Sequence, residues 1–180
     1  LHGKQLSFNN ILDLDGARGV LAGLGNDRAA CVIVKHNNPC GVALGADALN
    51  AYSKAFAGDP ISAYGGIIAL NRRVDSACAE ALSEQFIEVL IAPGYDEAAL
   101  EILMRKPNTR ILEDEERRLA PLDEFDVRQV DGGLLVQDRD VVLADPAQME
   151  VVTEREPTDA EWRDLLFAWR VCRFVKSNAI

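Results

Sequence analysis

Two side chains that can exchange protons, Lys35 and His36, directly follow the apolar run Ala30–Val34. Histidine is the side chain most able to trade a proton near neutral pH. The Lys35 ammonium disfavours imidazolium, which leaves His36 available as a base, and it can also stabilise an oxyanion or protonate a leaving nitrogen. Because ligands of α/β sheets bind beyond the carboxyl ends of strands, the sequence predicts a site here. The alternative is a surface Lys beside a capping His.

Three turns rich in Gly and Pro are candidates for the rim of such a site. Asn37–Gly41 offers amides, a rigid Pro and a Gly that lets the backbone approach a ligand; Asp59–Gly66 ends in paired glycines; Ala92–Tyr95 leaves a further strand in the same sense. We expect the three turns to surround the Lys35–His36 pair. Each turn alone also fits a purely structural role.

The elements that must position these residues alternate between short apolar runs and amphipathic stretches, which is typical of an α/β fold. The predicted strands are continuous apolar runs, which favours a sheet covered on both faces. They are Ala30–Val34, Gly66–Leu70, Glu88–Ala92 and Thr109–Leu112. The predicted helices are Asp15–Leu24, Asp47–Phe56, Ser76–Gln85 and Asp96–Arg105, with Asp75 as the N-cap of the third.

The pattern weakens between Glu113 and Pro157, where DGGLLVQDRD indicates a turn between short edge strands. Thr158 and Glu161 then form a capping box that begins a helix. One face of this helix is apolar, which predicts that it belongs to a core. Its residues are Trp162, Leu165, Leu166, Trp169 and Cys172.

Composition excludes several classes of protein. The chain has 180 residues, of which 48% are hydrophobic, and its net charge of -10 argues against binding nucleic acid over a wide surface. No run approaches the roughly 18 apolar residues of a membrane span. The four scattered cysteines form no CxxC pair, which argues against a zinc ribbon and suits the reducing cytoplasm. A start without Met and a stop just after a helix indicate a piece of a longer protein.

Five motifs identify a resemblance to a known family. LHGKQLSFNN, CVIVKHNNPCGVA, DPISAYGGIIALNR, LIAPGYDEAALEIL and FVKSNAI occur in the order found in the AICAR formyltransferase domain of the bifunctional purine biosynthesis (PurH) family. The block KHxNPCG is the most specific of them. The resemblance implies a cytidine-deaminase-like, three-layer α/β unit in residues 1–127. Residues 128–180 are then a connector and the first elements of a second such unit, and the IMP cyclohydrolase domain lies outside this chain.

The family transfers a formyl group from the co-substrate 10-formyltetrahydrofolate to AICAR, the aminoimidazole carboxamide ribonucleotide. The products are FAICAR and tetrahydrofolate, in de novo IMP biosynthesis. The resemblance implies that His36 removes a proton from the attacking amine and that Lys35 stabilises the oxyanion or protonates the departing folate nitrogen. The resemblance also implies that Asn178 helps to orient these groups. It further implies a cytoplasmic homodimer whose parent protein also carries IMP cyclohydrolase activity.

The same resemblance implies the substrate contacts. Tyr64 and Gly65 line the AICAR and folate pockets, Asn10 is a further ligand contact, and Glu88 touches the AICAR ribose. The family's upstream Arg-Tyr-Gly segment and nearly everything after Asn178 are absent from this chain. We therefore expect the 180-residue chain alone to have little or no formyltransferase activity.

Two other readings belong to different functional classes. A zinc-dependent deaminase needs a Glu two residues after its His or Cys ligand, followed by Pro-Cys-x-x-Cys. Here Asn38 is two residues after His36, and Pro39-Cys40 is not followed by a second Cys at the required spacing. We therefore expect no zinc and no other metal. The other reading is a non-catalytic α/β module that binds a nucleotide or supports an oligomer.

Overall fold

The computed structural model describes residues 1–115, 125–141 and 145–176. Its helices are α1 (Phe8–Gly23), α2 (Ala48–Gly58), α3 (Pro60–Ala63), α4 (Ser76–Ser83), α5 (Glu97–Leu103) and α6 (Asp159–Cys172). Its strands are β1 (Ala29–Lys35), β2 (Asn38–Gly45), β3 (Ile67–Leu70), β4 (Val89–Ala92), β5 (Arg110–Glu113), β6 (Phe125–Val130) and β7 (Gly133–Asp138). A single turn of 3-10 helix covers Pro146–Gln148. None of the helices in the described ranges is both long and apolar enough to cross a membrane.

Five strands form one mixed sheet in the order β2-β1-β3-β4-β5. β1 is antiparallel to both of its neighbours, β2 and β3, whereas β3, β4 and β5 run parallel to one another. The four strands predicted from apolar runs are confirmed, each to within one residue at either end. The chain is therefore an α/β protein with a mixed, five-stranded sheet.

The sheet separates two apolar cores, which confirms the prediction that both of its faces are covered. Alternate residues of β1 point to opposite cores: Cys31 and Ile33 to one, Val32 and Val34 to the other. The first core is completed by α2, α4 and α5. The second is completed by α1, whose apolar side is formed by Ala17, Val20 and Leu21. This arrangement is a three-layer α/β/α sandwich.

Capping explains where the helices begin. The Asp75 side chain accepts a hydrogen bond from the Cys78 backbone N–H at 2.8 Å, which confirms it as the N-cap of α4. α1 begins at Phe8, not at the predicted Asp15, because Ser7 and Asn10 form a reciprocal capping box. The prediction missed this start because the box uses Asn at the position where Glu or Gln is usual. The other three predicted helices are confirmed to within two residues.

Strand β2 corrects the prediction of a turn over Asn37–Gly41. Only His36 and Asn37 form the turn, and Asn38 already pairs with Lys35 in the β1–β2 ladder. Pro39 is tolerated because β2 is an edge strand of the sheet. Gly41 serves packing, not ligand approach, since a Cβ there would lie 2.3 Å from the Ala55 carbonyl oxygen of α2.

The predicted turn in DGGLLVQDRD is confirmed as the connection of a two-stranded hairpin, β6–β7. The Thr158–Glu161 capping box is also confirmed, at the start of α6. The predicted core face of α6 is only partly covered: Trp162, Leu166 and Cys172 are half-buried, whereas Leu165 is 52% and Trp169 54% exposed. The side chains of α6 and its end that pack against α1 and the sheet lie on a different face: Phe167, Val171 and Phe174.

Candidate functional site

The Lys35–His36 pair stands at a tight turn between two strands. His36 and Asn37 have φ values of 52° and 62°, both left-handed, and join β1 to β2 as a two-residue hairpin turn. Positive φ at both central residues matches the twist of the flanking strands, but it costs a non-glycine residue roughly 1 kcal/mol or more. His36 is exposed, and Lys35 is half-buried. A proton-exchanging side chain is thus held outward at a strained position.

A backbone carbonyl orients Lys35. Its Nζ donates a hydrogen bond of 2.8 Å to the carbonyl oxygen of Tyr64. An ammonium has three donors, so this bond fixes the side chain without exhausting it. Tyr64 is 61% exposed, and its ring lies beside the Phe86 ring, with 5.7 Å between their centroids. The cation at the end of β1 therefore lies close to the segment before β3, which carries an accessible aromatic ring.

The loop that carries Tyr64 is tied to the segment before β4. Gly65 has a φ of 72° and donates its N–H to the Phe86 carbonyl at 2.9 Å, and Glu88 donates its N–H to the Gly66 carbonyl at 3.1 Å. Only glycine adopts such a positive φ without strain. Tyr64, Gly65 and Glu88 are consequently neighbours, as a shared site requires.

Glu88 is in turn oriented by Asn10. The Asn10 side-chain amide donates to a Glu88 carboxylate oxygen at 2.7 Å, and its oxygen accepts from the Ser7 backbone N–H at 3.1 Å. Asn10 is 4% exposed, so its side-chain amide lies inside the protein. Asn10 therefore reaches a ligand only through the carboxylate that it holds, and Glu88, half-buried, is the group that faces outward.

Sheet topology explains why these residues meet. Val34 at the end of β1 pairs with Ile67 at the start of β3, and Ile67 pairs with Val89 at the start of β4. The carboxyl end of β1 thus lies beside the amino ends of β3 and β4. We call this edge of the sheet, with Lys35, His36, Tyr64, Gly65, Glu88 and Asn10, the Lys35 edge.

The third predicted rim loop does not belong to the Lys35 edge. Ala92 ends β4, and β3 and β4 are parallel, so the turn Ala92–Tyr95 leaves the sheet at the opposite edge. The expectation was wrong because it treated β1 as parallel to the later strands. At that opposite edge, Pro93 helps to line a cavity of about 330 Å³, beside which Arg18 and Asp114 form an ion pair at 3.0 Å.

Acidic and thiol groups complete the electrostatics near Lys35. Asp59 caps α3 by accepting from Ser62 at 2.9 Å, and these hydrogen bonds hold the pKa of its carboxyl below the usual value, with a smaller contribution from the Lys35 charge. Burial, with the nearby Asp59 charge, raises the pKa of the Cys40 thiol. Cys40 is therefore a poor nucleophile near neutral pH. Among the residues that the structure describes, no three His, Cys, Asp or Glu side chains are grouped as metal ligands.

Asn178 lies outside the described residues, but the chain that leads to it does not. The Lys176 backbone N–H donates to the Asn38 side-chain oxygen at 2.9 Å, and Asn38 pairs with Lys35 in the β1–β2 ladder. Sequence reasoning named Asn38 only as one of the amides of the turn Asn37–Gly41, and it missed Phe86. The Phe86 contact has no local signal because it depends on how β3 and β4 pair.

The AICARFT/IMPCHase bienzyme family model matches residues 1–180. The chain belongs to this family. The family is one of enzymes of purine biosynthesis. This membership confirms the family that the five motifs predicted.

Solved structures share parts of the architecture at low identity. The chain is similar to RibD from Acinetobacter baumannii, with 19% identity over 56% of this chain and 35% of that one, at a TM-score of 0.45. It is similar to a dCMP deaminase from the cyanophage S-TIM5, with 10% identity over 58% of this chain and 98% of that one, at 0.44. A putative formate dehydrogenase accessory protein from Desulfotalea psychrophila matches with 8% identity over 70% of this chain and 56% of that one, at 0.47. At these scores the likenesses add no inference to the family membership.

Proposed function

We propose that this chain is part of an AICAR formyltransferase domain, in which the Lys35 edge moves a formyl group from 10-formyltetrahydrofolate to AICAR. The products would be FAICAR and tetrahydrofolate, one step of IMP synthesis. The observation that carries the proposal is that one sheet edge collects Lys35 and His36, Tyr64 and Gly65, and Glu88 held by Asn10. These are six of the seven residues that the family resemblance names as site residues, brought together from four separate segments.

The Lys35–His36 pair supplies the proton transfers of this reaction. The AICAR amine attacks the formyl carbon while the His36 imidazole takes the proton that the amine loses. The new C–N bond leaves a tetrahedral oxyanion, which the Lys35 ammonium stabilises. The bond from the formyl carbon to folate N10 then breaks, and N10 takes a proton from Lys35. Return of the proton from His36 to Lys35 restores the pair.

The rest of the Lys35 edge positions the substrates. The Tyr64 carbonyl fixes the Lys35 ammonium at 2.8 Å, so the cation is already in place before substrate arrives. The exposed Tyr64 ring offers a flat apolar surface for the heterocycles of AICAR or folate. The Glu88 carboxylate, oriented by Asn10, accepts hydrogen bonds from the ribose hydroxyls.

The deciding experiment measures both family activities in the complete parent protein carrying His36→Ala. We expect kcat for formyl transfer to fall by about 10²–10⁴-fold with little change in AICAR binding, because one proton acceptor is lost. Cyclisation of FAICAR to IMP should be unchanged. His2→Ala, at the only other His of this chain, is the matched control. Loss of cyclisation with formyl transfer intact would instead assign this segment to the cyclohydrolase.

The architecture of the parent protein is part of the same proposal. Residues 1–127 would be a first cytidine-deaminase-like unit, residues 128–180 the beginning of a second, and two parent chains would form a cytoplasmic homodimer. On this view the isolated 180-residue chain has little or no formyl transfer activity. Turnover at parental rates by the isolated chain would refute that view, and binding of AICAR without turnover would identify a residual ligand site.

A further inference from the structure

One face of α1 is built from glycine. Gly16, Gly19 and Gly23 recur at i, i+3 and i+7, so they lie along the same side of the helix. Glycine inside a helix costs about 1 kcal/mol relative to alanine, so a run of three on one face needs a packing reason. We call this face the glycine face of α1.

The glycine face receives two distant parts of the chain. A Cβ at Gly16 would lie 2.7 Å from the side-chain oxygen of Asn37, the residue after His36. A Cβ at Gly23 would lie 2.7 Å from the ring of Phe174, and one at Gly19 would lie 3.6 Å from the same ring. The absence of side chains on this face therefore lets the His36–Asn37 turn and the end of α6 both rest on α1.

A hydrogen bond then joins these two parts to each other. The Asn38 side-chain oxygen accepts from the Lys176 backbone N–H at 2.9 Å, across 138 residues of sequence. Asn38 is the direct ladder partner of Lys35, and Lys176 stands two positions before Asn178 in the sequence. The residue that begins β2 thus links the Lys35–His36 pair to the chain that follows α6.

We propose that Asn38 and Phe174 are positioning residues for the proposed formyl transfer, and that together they hold the chain after α6 against the Lys35–His36 pair. The inference rests on the proposed function, because it assigns these contacts to that reaction. Neither residue touches substrate in this role. Asn38 acts through the Lys176 backbone, and Phe174 acts by filling the glycine face of α1.

The size of the effect follows from how strongly catalysis depends on placement. The Asn38 hydrogen bond and the Phe174 ring contact both help to hold the chain after α6, so removing either increases the fraction of molecules in which this chain is displaced. In enzymes generally, a displacement of about 1 Å in a group that positions the reacting atoms can lower turnover by ~100-fold. Substrate that binds elsewhere on the Lys35 edge is affected much less. The expected signature is therefore a loss in kcat with a nearly constant KM for AICAR.

The first test uses Asn38→Ala and Asn38→Asp in the complete parent protein. We expect kcat for formyl transfer to fall by about 10- to 100-fold in Asn38→Ala, with KM for AICAR within about threefold of wild type. Asn38→Asp keeps an oxygen acceptor and should recover most of this loss. Asn50→Ala is the matched control, because the Asn50 oxygen likewise accepts from a backbone N–H, that of Ala46 in the approach to α2.

The second test places a methyl group on the glycine face of α1. Gly23→Ala should show the same loss in kcat, because the new Cβ takes the space of the Phe174 ring. Helix propensity alone would make this substitution favourable, so propensity does not account for a loss. Gly58→Ala at the end of α2, where a new Cβ would have no neighbouring atom within 4 Å, should leave kcat unchanged.

Hydrogen exchange at the Lys176 amide gives a readout that does not depend on activity. We expect exchange to accelerate by about tenfold in Asn38→Ala and to remain near the wild-type rate in Asn38→Asp. Unchanged exchange and unchanged kcat in Asn38→Ala, while His36→Ala abolishes formyl transfer, would overturn the positioning role and leave the proposed function standing. A wild-type parent without formyl transfer would overturn the proposed function itself, whatever the exchange rates.

Discussion

The side-chain amide of Asn10 donates a 2.7 Å hydrogen bond to the carboxylate of Glu88, although 78 residues separate them. The bond connects the first turn of α1 to the residue that precedes β4. Asn10 also caps its own helix by exchanging hydrogen bonds with Ser7. A single buried amide thus aligns a helix terminus and orients the acidic group of the Lys35 edge.

Asn10→Ala should weaken substrate binding more than turnover. We expect KM for AICAR in the parent protein to rise by about tenfold, with kcat changed by less than about threefold, because Glu88 loses its charged hydrogen bond and its fixed direction. The free energy of unfolding should fall by about 1–2 kcal/mol through the lost cap. Asn9→Ala, at the exposed neighbouring position, is the control. A loss of stability with a normal KM would show that Asn10 and Glu88 do not contribute to substrate binding.

Lys35→Met should remove the cation of the Lys35 edge while keeping most of the side-chain volume. We expect kcat for formyl transfer to fall by about 10²–10³-fold, the usual cost of losing one donor to an oxyanion. Steady-state kinetics of the parent protein would measure it, with the exposed Lys54→Met as control. If Lys35→Met retained a normal kcat, the hydrogen bond from Lys35 to the Tyr64 carbonyl would have a structural role and no role in catalysis.

Asn71 provides a test of the fold that is independent of function. Its buried side chain accepts from the Ala30 backbone N–H at 2.7 Å and donates to the Arg28 carbonyl at 2.8 Å, which closes the entry to β1. Asn71→Ala leaves the buried Ala30 N–H and the part-buried Arg28 carbonyl without these bonds, so we expect the free energy of unfolding, measured by urea titration, to fall by about 2–3 kcal/mol. The exposed Asn108→Ala should change it by less than about 0.5 kcal/mol. Equal effects of the two substitutions would contradict this account.

The sequence predicted well where local pattern decides the structure. The strands around Ile33, Ile68 and Leu90 are apolar runs buried on both faces, and no competing structure fits such runs at this length. The sequence pattern gave the wrong prediction at β2, because Pro39 and Gly41 indicate a turn locally. Their conformation is decided by edge pairing with β1 and by close packing of α2. Local preference was overridden there by tertiary contact.

The candidate site, like the fold, has features that local sequence predicted and features that it did not. His36 and Lys35 were recognisable from residue type and from their place after an apolar run, which is local information. The position of Pro93 at the edge of the sheet opposite Lys35 was not recognisable from the sequence, because strand direction in a sheet is a property of the whole topology. The contacts of Asn38 with Lys176 and of Phe174 with Gly23 span most of the chain, so no window of sequence contains them.

The hairpin β6–β7 should promote association of the isolated chain. Its register places Phe125, Val127, Leu134 and Val136 on one face, each at least 54% exposed, and two-stranded hairpins are marginal in water unless a face is covered. Phe125→Ser with Leu134→Ser should reduce light scattering of the 180-residue chain at high concentration. Leu135→Ser, on the opposite and more polar face of the hairpin, is the matched control. Equal reduction by both variants would show that the apolar face has no special part in association.

Helix α6 should lose its starting cap in acid. Arg155 forms two hydrogen bonds of 2.8 Å with Glu161, and these bonds, followed by those from Thr158, lower the pKa of Glu161 to about 2. Because the folded pKa lies below the usual value of 4.5, the cap stabilises α6 fully above about pH 4.5 and is lost as the pH falls towards 2.

Amide hydrogen exchange in α6 between pH 5 and 2 would measure this loss. After correction for intrinsic exchange, wild type should show greater protection than Glu161→Gln at pH 5, and the difference should disappear as the pH approaches about 2. Glu154→Gln, an exposed acid just before the same helix, should follow wild type at every pH. A protection difference that stays constant over this range would mean that Glu161 caps α6 through its shape and not through its charge. In that case the ion pair with Arg155 would contribute nothing to the start of the helix, as is common for exposed pairs.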